Sequence, residues 1–263
     1  MKRLTLIGSL FFAIALCGIG IEHFIYKDFM IGRAPAWPGG VSGKIGWAYL
    51  TGAIFIIIGI LVIARRKARL PLVLGGVLIF LWAFIRQIPV LVSSSLLSGD
   101  WTSAGKALTF FGGCLVMAST FPRIPGDHRS TLITIVNRED ELILTGRIAL
   151  GVFMIISGIQ HFMYIPFVAS LIPGWFPGNA IFYTKLAGIL LIAGGLGLFI
   201  SPTAKWAAFL TGVMIFLWFW IVHLPRVSVS VSDNIAVFEA LGVSGIAFAI
   251  AGSLSERNNQ SEN

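Results

Sequence analysis

A short motif that occurs twice constrains this chain more than any other feature of its sequence. The segments Gly20–Phe24 and Gly158–Phe162 both end an apolar run with a polar residue and a histidine, and a loop rich in proline, tryptophan and glycine follows each. The blocks Ile79–Pro89 and Ile215–Pro225 form a second matched pair with the same internal spacing. Because the two pairs occur in the same order, the sequence indicates a tandem duplication.

The composition is that of a membrane protein. Of the 263 residues, 57% are hydrophobic and 11% are charged, and the mean hydropathy is +0.90, whereas a soluble domain carries about 25% charged residues. The net charge of +8 does not indicate a nucleic-acid-binding protein, because the basic residues lie in short tracts between apolar runs. Such tracts follow the positive-inside rule, so the expected partner is a lipid bilayer and no nucleic acid.

Eight apolar stretches are predicted to cross the bilayer, whose hydrocarbon core takes about 20 residues of helix. The first resembles a signal peptide. Its counterpart lies in mid-chain, where it cannot be a cleaved leader, so we expect it to be the first span. The predicted spans are Leu4–Phe24, Ile45–Ala64, Leu70–Val92, Lys106–Phe121, Ile148–Tyr164, Ile181–Ile200, Ala204–Leu224 and Ile235–Leu254.

These features predict an all-α, polytopic membrane protein whose eight transmembrane helices form two tandem, parallel four-helix-bundle repeats. Residues 1–122 would be the first repeat, 123–144 a cytoplasmic linker, 145–254 the second repeat and 255–263 a disordered tail. Of the 19 basic residues, 12 lie on the side that holds both termini, so both termini are predicted to be cytoplasmic, in an inner or plasma membrane. An even number of spans per repeat would relate the halves by an axis along the membrane normal.

Nine polar or ionisable residues fall at the extracytoplasmic ends of the predicted spans. An ionisable side chain inside a span costs a few kcal/mol unless it faces the bundle interior and finds a partner. A group of them at one depth therefore predicts a shared polar pocket that binds a small ligand. The candidate ligand-binding residues are Glu22, His23, Arg86, Gln87, Lys106, Gln160, His161, His223 and Glu239.

Pairs of opposite charge are expected inside this cluster, and we predict that Glu22 pairs with Arg86 and that Lys106 pairs with Glu239. Matching positions in the two halves differ in charge, as where Glu22 corresponds to Gln160. This difference favours one asymmetric pocket between the halves. The competing interpretation is structural, with the same residues reaching the head groups or holding the bundle together as ion pairs.

No catalytic residue and no metal site is predicted. Cys17 and Cys114 lie far apart in apolar runs, so they form no C-x-x-C pair. His23 and His161 could ligate a haem from two helices, but no other feature of the spans supports a cofactor. Four tryptophans near the same membrane face are expected to be interfacial anchors, namely Trp37, Trp47, Trp101 and Trp175.

A set of motifs in the second half carries a family resemblance. They are Gly158–Phe162, the Pro173–Trp175 loop, Leu186–Gly188 before Gly194–Leu198, and the ending His223–Pro225. In these motifs the chain resembles the DoxX-like family, bacterial and archaeal membrane proteins built as bundles of four transmembrane helices. The resemblance covers nearly all of the second half and, more loosely, the first, so the chain is similar to two fused DoxX-like units.

The resemblance implies a membrane subunit of a quinone-linked redox system, because some DoxX-like proteins are subunits of thiosulfate:quinone oxidoreductase. In that role His161 and His223 would hydrogen-bond a quinone carbonyl, and Arg86 or Lys106 would stabilise the reduced anion. A soluble or membrane redox partner would supply electrons, because the sequence has no flavin, haem or dithiol motif. The alternatives are a transporter of small solutes or anions and a non-catalytic membrane assembly protein.

Overall fold

The structure is a computed structural model that describes residues 2–29, 34–125 and 131–261, and the regular elements in these ranges are all helices. A π-helical turn, Phe219–His223, and a 3-10 turn, Leu224–Arg226, continue helix α9. The α-helices are α1 Lys2–Tyr26, α2 Lys44–Ile63, α3 Arg69–Ser93, α4 Gly99–Ser119, α5 Thr131–Val136, α6 Glu139–Met163, α7 Ile165–Ser170, α8 Ala180–Phe199, α9 Ser201–Trp218 and α10 Val231–Ser261.

In the described part of the chain, seven helices are long and apolar enough to cross a membrane. They are α1, α2, α3, α6, α8, α9 with its continuation to Arg226, and α10, and they support the predicted class of polytopic, all-helical membrane protein. Helix α4 is equally long, with 21 residues, but is less apolar. It carries polar side chains such as Thr102, Lys106 and Thr109, which bond to groups inside the bundle.

Neighbouring helices come from both halves of the chain, so the described helices form one interleaved bundle rather than two self-contained ones. Helix α1 packs along both α2 and α10, and α6 packs along both α8 and α4. Helix α3 packs on α4, and α9 packs on α10. Helices α4 and α10 also contact each other in the middle of the bundle. When α1, α2, α3 and α4 are exchanged with α6, α8, α9 and α10, these contacts are reproduced, whereas the contact of α6 with α10 has no equally extensive counterpart between α1 and α4.

Glycines permit the closest of these helix contacts. A Cβ atom placed on Gly52 of α2 would lie 2.7 Å from the Gly20 carbonyl oxygen of α1, and one on Gly188 of α8 would lie 3.1 Å from the Gly158 carbonyl oxygen of α6. Small residues at such crossings let two membrane helices approach at the level of their backbones. Gly20 and Gly158 are the first residues of the two segments with similar sequence, Gly20–Phe24 and Gly158–Phe162.

Several helix ends differ from the predicted spans. Helix α6 begins at Glu139 rather than Ile148, because three acidic residues in its first turn favour the positive end of the helix dipole. Helix α4 begins at Gly99, seven residues before the predicted Lys106. Helix α10 continues to Ser261 where a disordered tail was predicted from Ser255. That extension packs on α1, since Thr5 bonds to Glu256 at 3.2 Å. Residues 262 and 263, and Arg33 and Arg129 of the orientation argument, lie outside the described residues.

Candidate functional site

A cavity of about 30 Å³ lies at one end of helices α1 to α4, beneath the loop that joins α1 to α2. This volume is enough for a few water molecules. Three of the predicted site residues line it, namely His23, Arg86 and Gln87. The remaining wall is apolar and aromatic apart from Thr51, and it consists of Phe29, Ala34, Thr51, Phe55, Ile79, Trp82, Ala83 and Ala107. Every lining residue belongs to the first half, so this cavity is not between the halves as predicted.

Arg86 is the most unusual group in this wall, because it is a buried cation without a carboxylate partner among the described residues. Its side chain is 7% exposed. The guanidinium carbon lies 4.8 Å from the ring centre of Phe29 and 5.2 Å from that of Trp37, and Nη2 donates to the Pro35 carbonyl. The atoms Nε and Nη1 are buried and donate to no described group. Cation–π contacts and one hydrogen bond compensate only partly for burying this charge.

The predicted ion pair between Glu22 and Arg86 is wrong. In the described residues, the guanidinium of Arg86 bonds to Pro35 in the loop, while Oε2 of Glu22 is buried and bonds to no described group. Asp28 lies close enough to Arg86 for their charges to interact, but its carboxylate forms an ion pair with Lys44 at 2.8 Å. The aromatic rings of the loop, and not Glu22, are therefore the groups that contact the guanidinium of Arg86.

His23 lines the cavity, and a hydrogen bond to the backbone fixes its ring. Its ring is 1% exposed, and Nδ1 lies 2.7 Å from the Ile19 carbonyl oxygen. Nδ1 must therefore carry a hydrogen and donate, which leaves Nε2 as an acceptor in the neutral ring and a donor in the protonated one. Phe29 and Phe55 hold the ring by edge contacts, with centroids 6.0 and 5.6 Å away. Gln87 is 5% exposed, and its Oε1 accepts no hydrogen bond from any described residue.

The second predicted ion pair is confirmed. The ammonium of Lys106 on α4 contacts Oε2 of Glu239 on α10, which is 3% exposed. This pair joins the two central helices of the bundle. Ala107, the next residue of α4, lines the cavity, so the ion pair lies beside the cavity but is not part of its wall.

None of the four predicted site residues of the second half lines this cavity, and one of them, Glu239, is the partner of Lys106 described above. Gln160 is satisfied by Thr102 at 2.5 Å and by the backbone carbonyls of residues 97 and 98 at 3.0 and 2.8 Å. His161 repeats the geometry of His23, since its Nδ1 lies 2.7 Å from the Ser157 carbonyl, but its ring stacks on Trp218 at 6.0 Å. His223 lies in the π-helical turn that ends α9. The nine residues thus form separate groups, not one pocket.

Sequence analysis missed the aromatic part of the site. Trp37 was expected to anchor the chain at the membrane interface, but it stacks on Phe29 with ring centres 5.6 Å apart and the planes 3° from parallel. Trp82 packs against both rings. The sequence around a loop tryptophan does not show whether its ring covers a buried cation or faces lipid head groups. The expectation suits Trp175 better, whose side chain is 64% exposed.

This arrangement is suited to binding oxygen atoms that accept hydrogen bonds. Arg86 offers a positive charge and the buried N–H groups of Nε and Nη1, and the other lining residues give the cavity apolar and aromatic walls. Most ligand sites combine a few placed polar groups with walls of this kind. Among the described residues, no group of three or more histidine, cysteine or acidic side chains could hold a metal ion.

Comparison with protein-family models, with curated proteins and with solved structures finds no match for this chain.

Proposed function

We propose that this protein is an integral membrane protein that binds the head group of a quinone at the Arg86 cavity, as a membrane subunit of a quinone-linked redox system of the DoxX type. One observation carries the proposal. The buried Arg86 guanidinium lines an apolar, aromatic-walled cavity, and its Nε and Nη1 donate to no group in the part of the chain that the structure describes. A quinone head group is a flat apolar ring with carbonyl oxygens at its edge, and it complements both parts of such a site.

The roles differ from those that the DoxX-like resemblance implied. Arg86 would donate to one quinone carbonyl and stabilise the negative charge that develops on it during reduction. Nε2 of neutral His23 would accept a hydrogen bond from a hydroxyl group of the reduced quinone, whereas a histidine role was first expected of His161 and His223. Electrons would come from a soluble or membrane redox partner.

The cavity is too small for a quinone ring, so side chains must move before a ring can bind. About 30 Å³ holds water but not a six-membered ring. Helices α2 and α3 touch each other only sparsely, and their outer faces are exposed and apolar, including Ile57, Ile85 and Ile88. A ring would therefore enter from the lipid between α2 and α3 and displace Phe29 and Trp37 from Arg86.

Mass spectrometry of small molecules that co-purify in mild detergent tests this proposal. The parent protein should retain a quinone, and Arg86→Met, which keeps the length of the side chain but loses its donors and charge, should lose it. Arg226→Met is the matched control, because Arg226 forms an ion pair with Asp233 at 2.7 Å and does not line the cavity. Recovery of phospholipid alone from the parent, or equal quinone from both variants, would reject the quinone role.

Anion transport is the second candidate, and the unpaired charge of Arg86 favours it. A small anion would neutralise the guanidinium directly, and ionisable groups inside spans often mark ion pathways. Proteoliposomes loaded with a halide-sensitive dye would distinguish the two. Anion uptake that Arg86→Met abolishes and Arg226→Met preserves would favour transport, and no uptake above protein-free vesicles would exclude it for the anions tested.

For the architecture, we propose eight spans in two repeats with both termini in the cytoplasm. Helix α4 would be the eighth span, since it is surrounded by α3, α6 and α10 and so needs fewer apolar residues toward lipid. The repeats are supported by the exchange symmetry of the helix contacts and by the matched glycine crossings. A pair of reporters that are active on opposite sides of the membrane, fused to either terminus, distinguishes the models. Eight spans place both termini on one side, whereas seven place them on opposite sides.

A further inference from the structure

Helices α1 and α10 bury a second carboxylate beside the Lys106–Glu239 ion pair. The two helices run antiparallel, and Asn234 of α10 bonds to the Tyr26 hydroxyl of α1 at 2.7 Å. One turn before Glu22, a Cβ atom on Gly18 would collide with the ring of Phe238. Glu22 lies between these two contacts and therefore faces α10. Its side chain is 4% exposed, and its carboxylate is close enough to that of Glu239 for the two charges to interact.

The charges in this group do not balance. Two carboxylates face one ammonium, which leaves one buried negative charge. Two other acidic side chains on or next to these helices are already paired, Asp233 of α10 with Arg226 at 2.7 Å and Asp28, just after α1, with Lys44 at 2.8 Å. Arg86 on α3 bonds to the loop instead. An uncompensated buried carboxylate is costly, and in proteins such a group usually becomes neutral by taking up a proton.

Hydrogen bonding indicates the same deficit independently of charge. Oε2 of Glu22 and Oε1 of Glu239 are both buried and bond to no described group. Ionised carboxylates only accept hydrogen bonds, so neither can satisfy the other. One proton turns one of them into a donor, which a pair of ionised carboxylates does not have.

The second half of the chain shows what a neutral residue does at the matching position. Gln160 corresponds to Glu22 in the duplicated motif, and it is fully bonded between helices α4 and α6. An amide satisfies this position without a proton. The carboxyl of Glu22 is thus the group that distinguishes the α1–α10 contact from its counterpart.

We propose that Glu22, Lys106 and Glu239 form a site for one exchangeable proton, shared between the two carboxyl groups and held at the α1–α4–α10 contact. The proton forms an O–H bond on one carboxylate, and its release regenerates the ion. Two carboxylates that share a site typically hold one proton between them in this way. The inference is independent of the quinone proposal, because none of the three residues lines the Arg86 cavity.

Infrared spectroscopy tests this directly. A protonated carboxyl in apolar surroundings gives a carbonyl-stretch band that is separate from the amide bands and shifts in deuterium oxide. The parent protein, purified in nanodiscs at neutral pH, should show one such band, and carboxyl-labelled [13C]glutamate should move it. Glu22→Gln, which reproduces the residue of the second half, should abolish the band. The exposed Glu141 gives the control, since Glu141→Gln should leave the band unchanged.

Other outcomes would overturn the proposal. One is that the parent shows no glutamate band at any pH at which it stays folded. Another is a band that does not shift in deuterium oxide. A third is a band that survives in both Glu22→Gln and Glu239→Gln. A parent that lacks the band but is stabilised by sodium chloride and not by potassium chloride would assign the site to a metal cation instead. The measurement on labelled parent protein decides even if a variant fails to fold.

Discussion

At the scale of single residues, burial separates two ion pairs that sequence alone would rank equally. Lys106 pairs with Glu239 inside the bundle, with side chains 17% and 4% exposed, whereas Lys44 pairs with Asp28 with side chains 38% and 39% exposed. Breaking a buried pair leaves an uncompensated charge, which costs about 3–5 kcal/mol. A pair that is this exposed contributes about 0–1 kcal/mol.

We therefore expect Lys106→Met to lower the free energy of unfolding by roughly 3–5 kcal/mol and Lys44→Met by less than about 1 kcal/mol. Equilibrium unfolding in mixed detergent micelles measures both. The double variant Lys106→Met/Glu239→Gln should recover most of the loss, because it removes the stranded carboxylate. Equal losses for the two single variants would mean that the buried pair is as solvated as the exposed one.

Residue types predicted which side chains are buried and polar, but not their partners. Lys106 and Glu239 meet as expected, because they occupy matching places on two helices that pack together. Glu22 and Arg86 do not, because the loop after α1 covers Arg86 with Phe29 and Trp37. A loop conformation of that kind depends on tertiary contacts, and neither the charge pattern nor the hydropathy of the sequence reports on them.

At the scale of helices, two glycines of α2 differ in what surrounds them. A Cβ atom on Gly52 would lie 2.7 Å from the Gly20 carbonyl oxygen and 2.8 Å from Cβ of His23, while one on Gly46 would meet nothing within 4 Å. Both glycines lie inside the same helix, where alanine is intrinsically favoured over glycine by roughly 1 kcal/mol. The two sites therefore differ only in that Gly52 contacts α1 and Gly46 does not.

Gly52→Ala should therefore destabilise the protein by roughly 1–3 kcal/mol, because the added methyl group pushes α1 away from α2. Gly46→Ala should be neutral or stabilising by up to about 1 kcal/mol. Thermal unfolding in one detergent compares them, with Gly188→Ala as a further test of the matching crossing in α6 and α8. If Gly52→Ala melts at or above the temperature of Gly46→Ala, the helices do not approach this closely.

The segment between the halves is fastened to the bundle by one arginine at the start of α3. Arg69 is 2% exposed and donates to the carbonyl oxygens of Phe121 at 2.5 Å and Val136 at 3.0 Å. Its guanidinium also lies 3.4 Å from Glu139, which Arg123 contacts at 3.1 Å. The predicted linker therefore docks on the end of the bundle at which helix α3 begins.

Arg69→Met should release this segment, since each buried acceptor left without a donor costs about 1–3 kcal/mol. Hydrogen–deuterium exchange of peptides that cover residues 131–139 should become faster, with little change in α8 or α9. Arg66→Met is the control, because Arg66 is exposed and close in sequence. Unchanged exchange in Arg69→Met would show that other contacts hold the segment.

At the scale of the whole molecule, sequence analysis anticipated the helical membrane class and most helix positions, because apolar runs and basic tracts report directly on spans. It did not anticipate how the halves combine. Helix α1 packs along α10 and α4 packs along α6, through close contacts at Gly8 with Gly245 and at Gly112 with Gly146. A duplication specifies that two units are alike, but it does not specify whether each unit packs on itself or on its copy.

In this interleaved packing, the first and last helices of each half pack against helices of the other half. We expect residues 1–128 and 129–263, produced as two chains in one cell, to co-purify through a tag on either chain, and each chain produced alone to be degraded or aggregated. Gly112→Leu in the first chain should prevent co-purification, because a Cβ atom there would lie 2.8 Å from Cα of Gly146. Gly46→Ala, which adds a methyl group in open space, should not prevent it. Two chains that each accumulate as folded monomers would instead favour self-contained bundles, in which α1 packs on α4 and α6 packs on α10.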